Sequence, residues 1–178
     1  MGKRSNFERV ERDFYLTPYE AVLPLLSHLD DETFFDEPCA GNGALALHLE
    51  KHGHICVWAS DIEPQPSLSN LLKIYQRDYR LADQQSGADY FITNPPWDRK
   101  LLHPLISFMS LLRPTWLLFD ADWIHTKQSS DLMKRCVKIV SVGRVKWIEG
   151  SKNTGKDNCC WYLFDSKHTG PTTFVGRS

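Results

Sequence analysis

The sequence predicts an α/β fold built on a mostly parallel, twisted sheet, and three observations carry the prediction. First, residues 33–36 make a short strand that runs into the glycine loop Glu37-Pro38-Cys39-Ala40-Gly41-Asn42-Gly43, after which residues 44–52 read as a helix stopped by Gly53. Second, short apolar, β-branched segments recur at 55–60, 89–93 and 116–119, which is the rhythm of strands joined by crossovers. Third, residues 144–149 and 160–164 are two more strands, close enough through the loop 150–158 to pair as an antiparallel C-terminal hairpin.

The remaining elements fit around that frame. Residues 1–13 are polar and charged and read as a flexible arm; one domain is expected over 14–166 and a poorly ordered tail over 167–178. Thr17 with Glu20 three residues on forms a capping box, and Pro18 falls at the first helical position, where its missing N–H costs nothing. That helix runs to about His28, with Val22, Leu23, Leu26 and Leu29 on one face and a kink at Pro24. Residues 68–75 are a short helix or an irregular connection. Residues 101–112 are mostly helical, and 129–135 form a helix capped by Ser129 or Ser130.

Composition narrows the class of protein. The chain has 178 residues, 42% of them hydrophobic, enough for one domain with a sizeable core. Net charge is −1, but from Ala121 onward there are 10 Lys/Arg and 5 Asp/Glu, a balance of +5, against 11 and 17, a balance of −6, before it. A basic C-terminal third suits an acidic polymer, although such a bias is also common on solvated surface. The five cysteines form no C-x-x-C pair and the histidines show no ligand spacing, so no metal site is expected and the thiols read as reduced. With neither a signal peptide nor an apolar run near 18 residues, the expectation is a cytoplasmic protein without a membrane partner.

The chemistry centres on two places. In the glycine loop the helix N-terminus offers free N–H groups, but the phosphate pattern G-x-G-x-x-G is incomplete because Ala46 stands at its last position. Glu37 repels a pyrophosphate and suits a ligand with an ammonium group, which points away from NAD and toward S-adenosylmethionine. Asp61, 20 residues after Gly41 at the end of a strand, is in register for ribose hydroxyls, although an Asp there is also a common cap. Asp78-Tyr79 could take an adenine amine and cover its ring, or be ordinary loop. The second place is Asn94-Pro95-Pro96-Trp97, directly after the strand 89–93. The prolines make a rigid corner that presents an amide, the Pro95 carbonyl and an aromatic face, parts that grip a planar amine.

In this order Thr17-Pro18, Glu37-Pro38-Cys39-Ala40-Gly41-Asn42-Gly43, Asp61, Asp78 and Asn94-Pro95-Pro96-Trp97 resemble the DNA adenine N6-methyltransferases, with the cofactor loop ahead of the catalytic tetrapeptide as in that family's gamma arrangement. The compact size is similar to enzymes carried by phages and prophages. The resemblance implies a Rossmann-like class I methyltransferase fold and S-adenosylmethionine as cofactor. It implies Thr17 and Pro18 against the cofactor's amino-acid end, Glu37 at its ammonium, and Pro38, Cys39, Ala40, Gly41 and Gly43 as the loop its backbone approaches. Asp61 and Ile62 would lie at the ribose, and Asp78 and Tyr79 at the cofactor's adenine. Asn94 and the Pro95 carbonyl would accept from the target amine, with Pro96 stiffening the turn, Trp97 stacked on the flipped base and Asn94 also bordering the cofactor.

No stretch is long enough for a separate recognition domain, so low sequence specificity is expected. Lys152, Asn153, Thr154 and Lys156, in the loop 150–158, are the expected DNA contacts. The competing readings are a methyltransferase of RNA adenine or of a protein glutamine amide, and a catalytically silent binding module of the same fold.

Overall fold

The computed structural model describes residues 15–82, 86–148 and 154–177. Among them the chain forms helix α1 (Tyr19–Leu26), strand β1 (Phe34–Glu37), α2 (Ala44–Glu50), β2 (Ile55–Asp61), β3 (Ile74–Gln76), β4 (Tyr90–Thr93), α3 (Arg99–Leu112), β5 (Thr115–Asp120), α4 (Ser130–Met133), β6 (Cys136–Gly143), β7 (Cys159–Phe164) and β8 (Thr173–Val175). The described strands make one sheet in the order β3-β2-β1-β4-β5-β7-β6-β8. The run from β3 to β5 is parallel, β7 is antiparallel to both β5 and β6, and β8 is parallel to β6. This is the Rossmann-like α/β architecture with the antiparallel C-terminal hairpin.

Strand alternation divides the core in two. In β5, Trp116 and Leu118 face α1 and α2, whose Ala21, Val22, Leu25, Leu45 and Leu49 are fully buried against Phe35, Ile92 and Trp161. Leu117 and Phe119 face the other way, onto Leu102, Leu105, Ile106 and Met109 of α3, with Phe91, Tyr162 and Phe164. The Trp161 indole N–H donates to the Ala21 carbonyl at 2.8 Å and pins α1 to the sheet. At the other end of α3, Arg113 Nη1 donates to Asp36 Oδ2 in β1 at 2.9 Å and to Ser86 Oγ at 2.8 Å, and its guanidinium lies over Phe91. Both ions are buried.

Several expectations need correction. Thr17 and Glu20 make no capping box: α1 starts at Tyr19, Pro18 occupies the cap position without a capping side chain, and Glu20 Oε1 instead accepts from Lys146 N–H at 2.8 Å. Leu23 is exposed, and Ala21 and Leu25 take its place in the core. Residues 144–148 do not form a strand. The first strand of the hairpin is β6, rich in Val and Ile, and Gly143 at φ 87° ends it. Glu149 lies outside the described residues. The stretch 68–75 hides the three-residue β3, too short to show alternation. The region after Lys167 is no loose tail, because Thr173–Val175 completes the sheet edge beside β6. The expected arm over residues 1–13 lies outside the described residues.

Arg113→Leu leaves the Asp36 carboxylate buried without its ion partner, and unfolding free energy should fall by about 3–5 kcal/mol. Urea denaturation measures this, and adding Asp36→Asn should restore part of the loss.

Candidate active site

The chain order turns around at β1: β2 and β3 lie to one side of it, β4 and β5 to the other. Such a reversal opens a crevice at the carboxyl ends of the strands. Here it is a cleft of about 1150 Å³. It is lined by Thr17, Glu37, Pro38, Cys39, Ala40, Gly41, Asp61, Ile62, Asp78, Tyr79, Asn94 and Pro96, residues drawn from five separate stretches of sequence. Pro18, Gly43, Pro95 and Trp97 are not part of its lining. Pro18 closes the first turn of α1 through its carbonyl, and Pro95 is buried beneath the corner.

The glycine loop is held from three directions. Gly41 N–H donates to Asp61 Oδ2 at 2.8 Å, and the Gly41 carbonyl accepts from Gln65 N–H at 3.0 Å. The Asn42 side chain caps α2 by accepting from Ala44 N–H. Gly43 has φ 85°, and a Cβ there would lie 2.4 Å from Leu72 Cδ2. The positive φ is the constraint that favours glycine here, and Gly43 itself does not line the cleft.

The carboxylates differ in what already engages them. Glu37 is 2% exposed and Oε2 accepts from Ala46 N–H at 3.1 Å. Burial raises its pKa well above the ordinary carboxylate range, and a cation in the cleft would favour its ionised form. Asp61 accepts from Gly41 N–H and, through Oδ1, from Glu63 N–H, and each oxygen keeps one lone pair for a hydroxyl. Asp78 is paired with Arg80 through Nε and Nη2, and these bonds hold its carboxyl below its usual range. An adenine amine at Asp78 would share the carboxylate with Arg80, since among the described residues Oδ2 accepts one bond, from Arg80 Nη2, and keeps one lone pair. Burial pushes the Cys39 thiol up, so it is an inert wall of the cleft rather than a nucleophile.

Asn94 follows β4 at the same sheet edge. Its Nδ2 donates to the Tyr15 carbonyl and its Oδ1 accepts from the Trp97 indole N–H, both at 3.4 Å. The indole N–H also donates to the Leu118 carbonyl at 3.2 Å. Trp97 is thus turned inward to hold the amide, and its ring meets Trp147 edge-on at 5.5 Å. The indole N–H edge is therefore engaged within the fold, and Trp97 is not part of the cleft lining. Trp147 in turn lies edge-on to Tyr15 at 6.3 Å, and Gly155 backs it so closely that a Cβ there would come within 2.9 Å.

Tyr15 and Trp147 are the residues that reading the sequence missed. Tyr15 borders the quoted Thr17-Pro18 motif, but its contribution is a backbone carbonyl, which no residue type signals. Trp147 sat in a segment assigned to a strand. Of the expected DNA contacts, Lys152 and Asn153 lie outside the described residues; Thr154 and Lys156 are exposed in the loop before β7 and do not line the cleft. Among the described residues no group of His, Cys, Asp and Glu is placed to hold a metal ion, and no helix is long and apolar enough to cross a membrane.

No protein-family model matches the sequence, and no curated protein does. Solved structures do resemble it. A Pyrococcus horikoshii protein assigned as an RNA methyltransferase superimposes with a TM-score of 0.64 at 17% identity over 90% of each chain. The methyltransferase subunit of a type I restriction-modification system from Streptococcus thermophilus gives 0.60 at 8% identity, over 91% of this chain and 47% of that one. A Listeria monocytogenes protein assigned to the class I S-adenosylmethionine-dependent methyltransferases gives 0.52 at 10% identity, over 88% and 62%. The fold is that of the class I S-adenosylmethionine-dependent methyltransferases. This chain spans about half the length of the restriction-modification subunit.

Trp97→Phe keeps the packed ring and removes the one N–H that serves both Leu118 and Asn94. Urea denaturation should show a loss of about 1–2 kcal/mol, the cost of leaving a buried acceptor unpaired. An unchanged midpoint would mean that the indole N–H does not anchor the corner.

Proposed function

We propose that the protein is an S-adenosylmethionine-dependent methyltransferase acting on the exocyclic amino group of adenine in DNA, with low sequence specificity. The observation that carries this reading is that the Asn94 amide and the buried Glu37 carboxyl line one cleft. The donor set fits the cofactor: Glu37 for its ammonium, Asp61 for ribose hydroxyls with Ile62 beside it, Tyr79 for a face of its adenine, Thr17 and the Pro38–Gly41 backbone along its length. Bound there, S-adenosylmethionine supplies an electrophilic methyl group.

The chain's own part is to prepare the amine. Asn94 Oδ1 and the Pro95 carbonyl each accept one N–H of the target nitrogen, which draws its lone pair out of conjugation and fixes its direction. The two prolines keep those acceptors from relaxing apart. Trp97 acts as a positioning residue by holding the Asn94 oxygen. The basic loop that includes Lys152, Asn153, Thr154 and Lys156 contacts DNA phosphates, which orient a duplex without reading its sequence. The resemblance in fold to a protein assigned as an RNA methyltransferase favours RNA adenine as the second reading.

Methyl transfer from labelled cofactor to DNA, RNA and protein, run in parallel, separates these substrates. Asn94→Ala should lower transfer by about 10²–10³-fold, as for loss of one preorganised hydrogen-bonding group. Calorimetry should find cofactor affinity within a few fold of the parent, and a variant that methylates at the parent rate would falsify the mechanism.

Glu37 makes the cofactor step pH-dependent. Its pKa is raised in the folded chain, so its contribution to stability is present below the ordinary carboxylate range and is lost as pH rises through the raised value. An ammonium in the cleft reverses that cost by pairing with the ionised form. Affinity for S-adenosylmethionine should therefore increase with pH over this window, with proton release on binding. Glu37→Gln should bind more weakly and lose the pH dependence; a parent affinity that does not change with pH would remove Glu37 from this role.

A further inference from the structure

One side of the sheet carries a stack of side chains that the methyl-transfer reading does not use. Trp58 of β2 and Tyr75 of β3 lie face to face, 4.0 Å between centroids and 5° from parallel. Lys73 Nζ sits 4.5 Å from the Tyr75 ring, and the Arg77 guanidinium 5.9 Å from the Trp58 ring. The result is a ladder of cation, ring, ring and cation along the β2–β3 edge. Neither cation has a carboxylate within ion-pair distance among the described residues.

Strand register shows which side this is. Trp58 pairs with Asp36, whose side chain bonds Arg113 at the end of α3, and Ser60 pairs with Tyr75, so both rings lie on the α3 side. Over β4 and β5 that side is sealed by α3, but nearer β2 it is open. Phe34 and its partner Ile55, on the same side as Asp36, are 36% and 38% exposed. The ladder is also continuous with the cleft. Arg77 N–H donates to the Asp61 carbonyl at 2.8 Å, extending the β2–β3 pairing to the rim, and the next three residues, Asp78, Tyr79 and Arg80, line the cleft.

We propose that the Lys73–Tyr75–Trp58–Arg77 ladder is a docking surface for the single-stranded nucleic acid flanking the target base. Paired rings with unneutralised cations at both ends match a polymer of aromatic bases and phosphates. A base displaces a cation from the outer face of a ring, and the freed cation takes a phosphate. The proposal rests on a nucleic-acid substrate for the cleft. The occupant is DNA, as for the cleft, and binding of oligouridylate with no binding of oligothymidylate would overturn that choice.

The test uses the full chain and fluorescence anisotropy with labelled oligothymidylate and oligouridylate of about 15 nucleotides, the span of one such site. Neither probe contains adenine, so binding is read apart from methyl transfer. The parent protein should bind oligothymidylate, with affinity falling as salt rises. The double variant Lys73→Gln, Arg77→Gln should bind about tenfold more weakly, with a salt slope shallower by about 1.4. Trp58→Ala should weaken binding by a similar factor and Trp58→Phe restore most of it, which loss of folding alone does not produce. Cofactor affinity of the double variant should match the parent.

Absence of parent binding, or equal binding by the double variant, overturns the proposal. So does a change of oligomeric state in Trp58→Ala with oligonucleotide binding intact, which marks the face as a self-association surface. Ladder-dependent binding without adenine methylation defeats the methyl-transfer reading alone, and adenine methylation without ladder-dependent binding defeats the docking surface alone.

Discussion

Parallel pairing of β1 with both β2 and β4 is the constraint on which the site depends. It brings the ends of three strands, Glu37, Asp61 and Thr93, to one edge of the sheet although they are distant in sequence. The Gly41 N–H bond to Asp61 then fastens the first loop to the end of β2, and Asn94 follows Thr93 directly. A strand slipped by one residue would turn Glu37 and Phe35 toward α3 and bury Phe34 and Asp36 under α2. The Asp36–Arg113 pair opposes that slip, because turning Asp36 to the other face would part it from the guanidinium.

Orientation of the Asn94 amide is fixed from two sides. Exchanging its oxygen and nitrogen would set the amide NH₂ against the Trp97 N–H and the amide oxygen against the Tyr15 carbonyl. Each bond is long, so neither alone is strong. Together they leave a single favourable orientation, with the oxygen available to a substrate N–H. This makes the packing of Trp147, and of Gly155 behind it, part of the catalytic geometry under the proposed reading, although neither touches the cleft.

Much of this was legible in the sequence, and the exceptions have physical causes. Strand, glycine loop and helix were readable at 34–50 because local chemistry decides them: an aromatic pair opening the strand, glycines at positive φ, a helix behind them. Asp61 was readable by its spacing from Gly41. The misplacement of the hairpin's first strand arose because residues 144–148 and 136–143 are both β-prone, and only pairing with β7 selects the second. β3 and β8 have three residues each and exist through their neighbours, so no periodicity reveals them. The orientation of Trp97 was unreadable for the same reason: an indole can face a cleft or bond a carbonyl, and Leu118, 21 residues away, decides between them.

Charge placement gives the cleft and its surroundings opposite preferences. Inside, Glu37, Asp61, Glu63, Asp78 and Asp98 outnumber Arg80, which suits a cationic ligand and repels phosphate. Outside, the unneutralised cations lie on the β2–β3 edge, and the C-terminal third of the sequence has a balance of +5. Under the proposed reading, a nucleic-acid strand meeting this field would keep its backbone on the outer cations and lower only an uncharged base among the carboxylates. A base inside the cleft would meet these carboxylates at less than the Debye length of about 8 Å at physiological salt, so that sorting would persist under cellular conditions. On the proposed reading, the acidic interior that suits a cationic cofactor would therefore also dictate which part of a nucleotide can enter.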